Sequence, residues 1–250
     1  MRTRPGSSLA KWYVISLRPR GQHDALRRAA AARQARVIAL SPQRIELRDD
    51  RTTRARLRVA LNAPVVVFTS PNAVRAASAL RPLKRRRAQQ FFAIGEGTAR
   101  ALRRAGIDEV HAPARMDSEG LLALPGFAAL RGGDVGLVTA PGGRDRIAAG
   151  LRAQGLRVLR ADVYARVPVP LPARALATLR AKPRYLLLAL SSGEALQQAW
   201  AATPDDVRAV LVQARVLAAS ERLAALARAH GFSDIRLARS ARPRDLIAAA

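Results

Sequence analysis

Short apolar runs alternate along this chain with longer segments of helical period. The runs lie at Tyr13–Leu17, Val37–Leu40, Val65–Phe68, Phe91–Ile94, Val135–Val138, Val158–Leu159, Leu186–Leu190 and Val216–Ala218. Helical spacing of apolar positions covers Gln22–Arg33, Ala73–Ala79, Thr98–Ala105, Ser118–Ala123, Arg144–Gln154, Gly193–Trp200 and Glu221–Ala229. Runs this short fit strands covered on both faces better than buried helices. Gly106, Gly155 and Gly231 fall where helices end and a left-handed cap is wanted. The alternation predicts an α/β fold built on parallel sheets.

The pattern also repeats. VVVFTSPNAVRAA from Val65 is answered by LLLALSSGEALQQA from Leu186, and FFAIGEGTARALRRAGI from Phe91 by VLAASERLAALARAHGF from Val216. RPRGQHDALRRAAAARQARVIAL from Arg18 is echoed more faintly from Thr139, at nearly the same separation. Each match is an apolar run, a turn of small hydroxyl or glycine residues, and an alanine- and leucine-rich helix. Such a turn presents backbone N–H groups to anions. Two similar lobes follow from the repeat. Two stretches break it: residues 38–47, with Pro42 inside, and residues 163–172, with Pro168, Pro170 and Pro172. Their prolines forbid helix. They sit at equivalent places in the two halves and could pair as a ribbon between lobes, each half then starting in one lobe and finishing in the other.

Composition narrows the chemistry. No cysteine occurs, which excludes disulfides, thiol catalysis and thiolate metal sites. His23, His111 and His230 lie far apart, with no ligand spacing among them. No apolar run approaches the ~20 residues of a membrane span, and the opening MRTRPGSSLAKWYVISLRP lacks the apolar core of a signal peptide. A cytoplasmic, soluble protein is expected. The net charge of +26 raises nucleic acid as a partner. Against it, 41 arginines face three lysines, scattered along helices, and only Lys84-Arg85-Arg86-Arg87 forms a run. Stacking aromatics are not interleaved with them, as a single-strand binder needs. The charge is either solvated surface or a field that attracts a carboxylate- or phosphate-rich small ligand.

The turns carry the candidate chemistry. Thr69-Ser70-Pro71-Asn72-Ala73 and Ser191-Ser192-Gly193 end strands and open helices. They are good N-caps, and they also sit where open α/β sheets bind ligands. Gly95-Glu96-Gly97-Thr98 is a glycine turn without the third glycine of a dinucleotide fingerprint. Gly142-Gly143-Arg144 is either a tight turn or a carboxylate clamp, and Ser118 reads first as a helix start. Tyr164, one of three tyrosines, is either a packed ribbon aromatic or a group facing a cleft.

Taken in order, the motifs resemble a known family. They are Arg18-Pro19 after the first strand, Phe68-Thr69-Ser70-Pro71-Asn72-Ala73-Val74, Ile94-Gly95-Glu96-Gly97-Thr98-Ala99, Asp117-Ser118-Glu119-Gly120-Leu121-Leu122, Gly142-Gly143-Arg144, Val163-Tyr164-Ala165-Arg166-Val167-Pro168 and Ser191-Ser192-Gly193. Over nearly the whole chain they are similar to bacterial uroporphyrinogen-III synthase. The resemblance implies two similar parallel-sheet lobes joined by a two-stranded β ribbon, with the active site in the cleft between them. Residues 1–37 plus 171–250 would form one lobe, 48–161 the other, and 38–47 with 162–170 the ribbon. It implies a monomer without metal or organic cofactor, acting on hydroxymethylbilane, a linear tetrapyrrole with eight carboxylates, and with neither nucleic acid nor membrane as partner. Tyr164 is carried over as the acid. Arg18, Thr69, Ser70, Asn72, Ala73, Gly95, Thr98, Ser118, Gly142, Gly143, Arg144, Ser191, Ser192, Gly193 and Ser220 are carried over as substrate contacts. Leu17, Gln34 and Ala219-Ser220 depart from the threonine, glycine and glycine-threonine common in the family. Two alternatives remain open: a non-catalytic two-lobe binder of an anionic small molecule, and a nucleic-acid binder with a steep salt slope.

Overall fold

The computed structural model describes residues 8–113, 118–124, 127, 132–142, 146–181 and 183–250. In chain order its elements are β1 (Tyr13–Ser16), α1 (Asp24–Ala31), β2 (Arg36–Ala39), β3 (Gln43–Leu47), α2 (Arg51–Ala60), β4 (Val65–Phe68), α3 (Pro71–Leu80), β5 (Gln90–Ala93), α4 (Glu96–Arg104) and α5 (Ser118–Leu122). There follow β6 (Asp134–Thr139), α6 (Arg146–Ala153), β7 (Arg157–Asp162), β8 (Tyr164–Pro168), α7 (Ala173–Arg180), β9 (Leu186–Leu190), α8 (Gly193–Ala202), α9 (Asp205–Leu211), β10 (Arg215–Ala218), α10 (Glu221–Ala229), β11 (Ile235–Leu237) and α11 (Pro243–Ala248). The chain divides into two compact units. One joins the N-terminal residues up to Arg44 with Val167–Ala250, and the other is Ile45–Arg166.

Each unit has its own parallel sheet. The discontinuous unit has strand order β11-β10-β9-β1-β2, and the continuous unit β5-β4-β6-β7. The repeat maps onto these orders strand for strand. Val14 pairs with Leu187 in one sheet, and Val135 pairs with Val65 in the other; Tyr13 pairs with Arg36, and Asp134 with Arg157. Thus β10-β9-β1-β2 and β5-β4-β6-β7 are two copies of one arrangement. The outer β11 has its counterpart in a single parallel bridge between Phe92 and His111.

The remaining strands, β3 and β8, form a two-stranded sheet. Arg48 N–H donates to the Val163 carbonyl at 3.1 Å, and Val169 N–H to that of Pro42 at 3.0 Å. Partner numbers therefore run in opposite directions, and the pair is antiparallel. Pro42, which has no N–H to give a ladder, separates β2 from β3 within the extended stretch 38–47.

Burial explains the sequence pattern. Every residue of β4 and of β9 is buried. Side chains alternate across the sheet, so Ile15, Ile38, Leu188 and Val216 join one core layer while Val14, Leu187 and Leu217 join another. Each such side chain contributes about 1.5–3 kcal/mol by leaving water. Helix ends follow local chemistry too. Gly106, Gly155 and Gly231 all have positive φ. Gln34 takes the same left-handed conformation, at φ 65°, where a glycine costs nothing.

Candidate active site

In the continuous unit the chain runs from β4 outward to β5, then returns to β6 and runs the other way to β7. The strand order reverses between β4 and β6, and at such a point the loops beyond the carboxyl ends part to leave a crevice. Thr69 and Ser70 lie at the end of β4, and Thr139 ends β6. The Thr69 hydroxyl donates to that of Thr139 at 2.8 Å, and Thr69 N–H donates to the Val138 carbonyl at 3.2 Å.

Ser70 does two things at once. It is the N-cap of α3, with extended backbone, and its Oγ accepts from Ala73 N–H at 3.0 Å, with Pro71 at the first helical position. The same Oγ lies 3.0 Å from the Tyr164 hydroxyl. An Arg166 N–H donates to that hydroxyl at 3.3 Å, and the guanidinium carbon stands 5.7 Å from the Tyr164 ring centroid. Tyr164 is only 1% exposed, whereas Ser70 and Arg166 are half-buried. Positive charge gathers nearby. Arg75 is within electrostatic reach of Tyr164, and its pKa is lowered by burial and then by Arg104. Its guanidinium donates to the Asn72 side-chain carbonyl.

The other expected residues of this unit spread along the same sheet edge. Ala73 is fully buried in the first turn of α3. Gly95 is the N-cap of α4 with extended backbone, and Thr98, buried in that first turn, donates its N–H to the Gly95 carbonyl at 2.9 Å. Gly142 is exposed after β6 at φ 73°, a left-handed turn that favours glycine. Ser118 opens α5. Gly143 and Arg144 lie outside the described residues.

The discontinuous unit carries the second copy. Its order reverses between β9 and β1, with Ser191 and Ser192 after one and Arg18 after the other. Ser192 caps α8, its Oγ accepting from Ala195 N–H at 3.3 Å. Gly193 is buried, and a Cβ there would meet Leu226 at 3.0 Å. Ser220 stands at the N-cap position of α10, exposed and without a side-chain cap bond. By the strand register Arg18 holds the place of Thr139, and Gln43 the place of Tyr164. Arg18 is half-buried, and burial lowers its pKa. Gln43 is buried, with no hydrogen-bond partner for Oε1 among the described residues. The two copies are therefore not equivalent in chemistry: only one has the phenol.

Comparison with known proteins supplies the lineage. Residues 24–248 match the family described as Uroporphyrinogen-III synthase HemD. The chain belongs to the uroporphyrinogen-III synthase family. It is 34% identical over 157 residues to Uroporphyrinogen-III synthase of Escherichia coli, a match covering 62% of this chain and 64% of that protein. With Uroporphyrinogen-III synthase of Salmonella typhimurium it shares 35% over 156 residues, 62% of this chain and 63% of that one. It thus spans a little under two-thirds of the curated relatives it matches. In fold it is similar to a solved mutant uroporphyrinogen III synthase of Thermus thermophilus, with TM-score 0.61 and 19% identity over 94% of this chain and 95% of the other. The Helicobacter pylori uroporphyrinogen-III synthetase gives TM-score 0.58 and 14% identity over 94% and 95%.

Two residues of the candidate site were not singled out from sequence. Thr139 pairs with Thr69, and Arg166 bonds Tyr164. Arg166 had a legible signal, because residues two apart on a strand share a face. Thr139 had none, since its partner sits on a strand that is a neighbour only in three dimensions. Among the described residues no helix is long and apolar enough to cross a membrane, and no group of three or more His, Cys, Asp or Glu could hold a metal ion.

Proposed function

We propose that this chain is a cyclising lyase that closes hydroxymethylbilane to uroporphyrinogen III, inverting the last ring and releasing water, in tetrapyrrole biosynthesis. The observation that carries the reading is the Tyr164–Ser70 hydrogen bond beside the β4–β6 reversal, in a chain of this family. As the family resemblance implies, the enzyme acts as a cytoplasmic monomer without a cofactor.

The chemistry asks for little beyond grip, shape and one acid. The substrate's hydroxyl leaves as water once protonated, and an azafulvenium cation remains. Ring closure at the substituted pyrrole carbon gives a spiro intermediate, which fragments and recloses to the inverted isomer. Tyr164 supplies the proton, and the Arg166 N–H stabilises the phenolate left behind. Hydroxyls and turn N–H groups hold carboxylates within each unit, at Gly95 and Gly142 in one and at Ser191, Ser192 and Gly193, with the Arg18 guanidinium, in the other. The test is incubation with hydroxymethylbilane, oxidation of the products and separation of the isomers. Type III is expected; type I alone, the spontaneous product, would overturn the reading.

A further inference from the structure

We infer that Ser70, rather than Tyr164, is the group that hands the proton to the departing hydroxyl, with Tyr164 recharging it from behind. This rests on the reading of the chain as the cyclising synthase. Three observations meet here. Tyr164 is 1% exposed, so its phenol has almost no surface to offer a substrate, while Ser70, 3.0 Å away, is half-buried. The phenol oxygen already accepts from Arg166 at 3.3 Å, which leaves Ser70 as the partner for its own proton. Ser70 Oγ in turn accepts from Ala73 N–H at 3.0 Å, which pins the hydroxyl at the mouth of α3.

The step balances. The Ser70 proton goes to the substrate hydroxyl as its C–O bond breaks and water leaves. The Tyr164 proton moves to Ser70, and neutral phenol plus neutral alcohol become phenolate, azafulvenium and water. The proton shed when the closed ring rearomatises returns through Ser70 to Tyr164. In the other unit Ser192 repeats the cap of Ser70, and Gln43 stands in the sequence position of the phenol.

The relay is tested by separating Ser70's cap from its hydroxyl. Asparagine caps helices as well as serine does but has no hydroxyl to pass a proton, whereas threonine keeps both functions. In rapid-quench single turnovers, Ser70→Asn is expected to keep the wild-type melting temperature and to slow cyclisation about 100-fold. Ser70→Thr should stay within about threefold of wild type, since it keeps the hydroxyl that a relay requires. Because both residues serve one proton, Ser70→Asn combined with Tyr164→Phe should be no slower than the slower single variant. Additive losses, or Ser70→Asn at the wild-type rate, would overturn the relay while type III product from the wild type leaves the function standing. A wild type that yields only type I defeats both.

Discussion

At the scale of single residues, two buried groups do different work. Tyr164→Phe removes one hydroxyl that bonds Ser70 and Arg166. Its cost in stability should be ~1 kcal/mol, whereas loss of a general acid slows turnover by ~10²–10⁴. Urea melts beside isomer-resolved rates measure the two separately, and equal activity in both proteins would remove Tyr164 from the chemistry. His23 holds structure instead. It is 3% exposed and bonds Ser16 and Ser41 hydroxyls, each at 2.8 Å, tying the ends of β1 and β2 to the start of α1. Burial, then Arg27 and Arg18, lower its pKa to about 4 from 6.5, with Asp24 opposing. Because the folded state disfavours the protonated ring, this contribution is fully present above pH 6.5. It is lost as pH falls from 6.5 towards 4. After screening by solvent it should amount to ~1–2 kcal/mol. Urea denaturation at pH 7 and pH 4.5 should show that loss in the wild type, and a smaller one in His23→Gln.

At the scale of elements, the turn-and-helix units were legible because each is local. A strand buried on both faces reads as a run such as VVVF, and Ser70 and Ser192 announce the helices they cap. Helix α2 was not legible. Among its arginines only Thr53, Leu57 and Ala60 are buried, a stripe too narrow to stand out, and Asp50 caps it from a polar loop. Its packing is equally hidden in sequence. Gly136 looks like any small residue in a strand, yet a Cβ there would lie 1.9 Å from the Ala60 carbonyl oxygen at the end of α2. Backbone cannot rotate away as a side chain can, so Gly136→Ala must push α2 off β6. A loss of about 1–3 kcal/mol is expected from this overpacking. Gly150→Ala meets only the flexible end of Leu122 and should cost less. Thermal melts of the two variants give the comparison, and equal melting points would contradict the close approach.

At the scale of the whole molecule, the repeat and the charge have to be weighed together. Two sheets share one order, but the copies differ at their reversal points: a threonine pair and a phenol in one, Arg18 and Gln43 in the other. The phenol, with its serine and arginine partners, belongs to one copy alone. The net charge of +26 lies over both. Some of its arginines are paired with acids near the surface, as in Arg54–Asp49, Arg157–Asp134 and Arg180–Asp206. Such pairs stabilise the fold little. Their excess over the acids, however, makes a field that an eight-carboxylate substrate would feel at a distance. Salt shortens that reach, to about 10 Å at 0.1 M. Raising ionic strength should therefore raise KM several-fold while kcat barely moves, because the proton path from Tyr164 to Ser70 is a contact interaction that screening does not touch. Steady-state kinetics with hydroxymethylbilane across a salt series decide it. A flat KM would make the arginine excess solvated surface and leave capture to the turns alone.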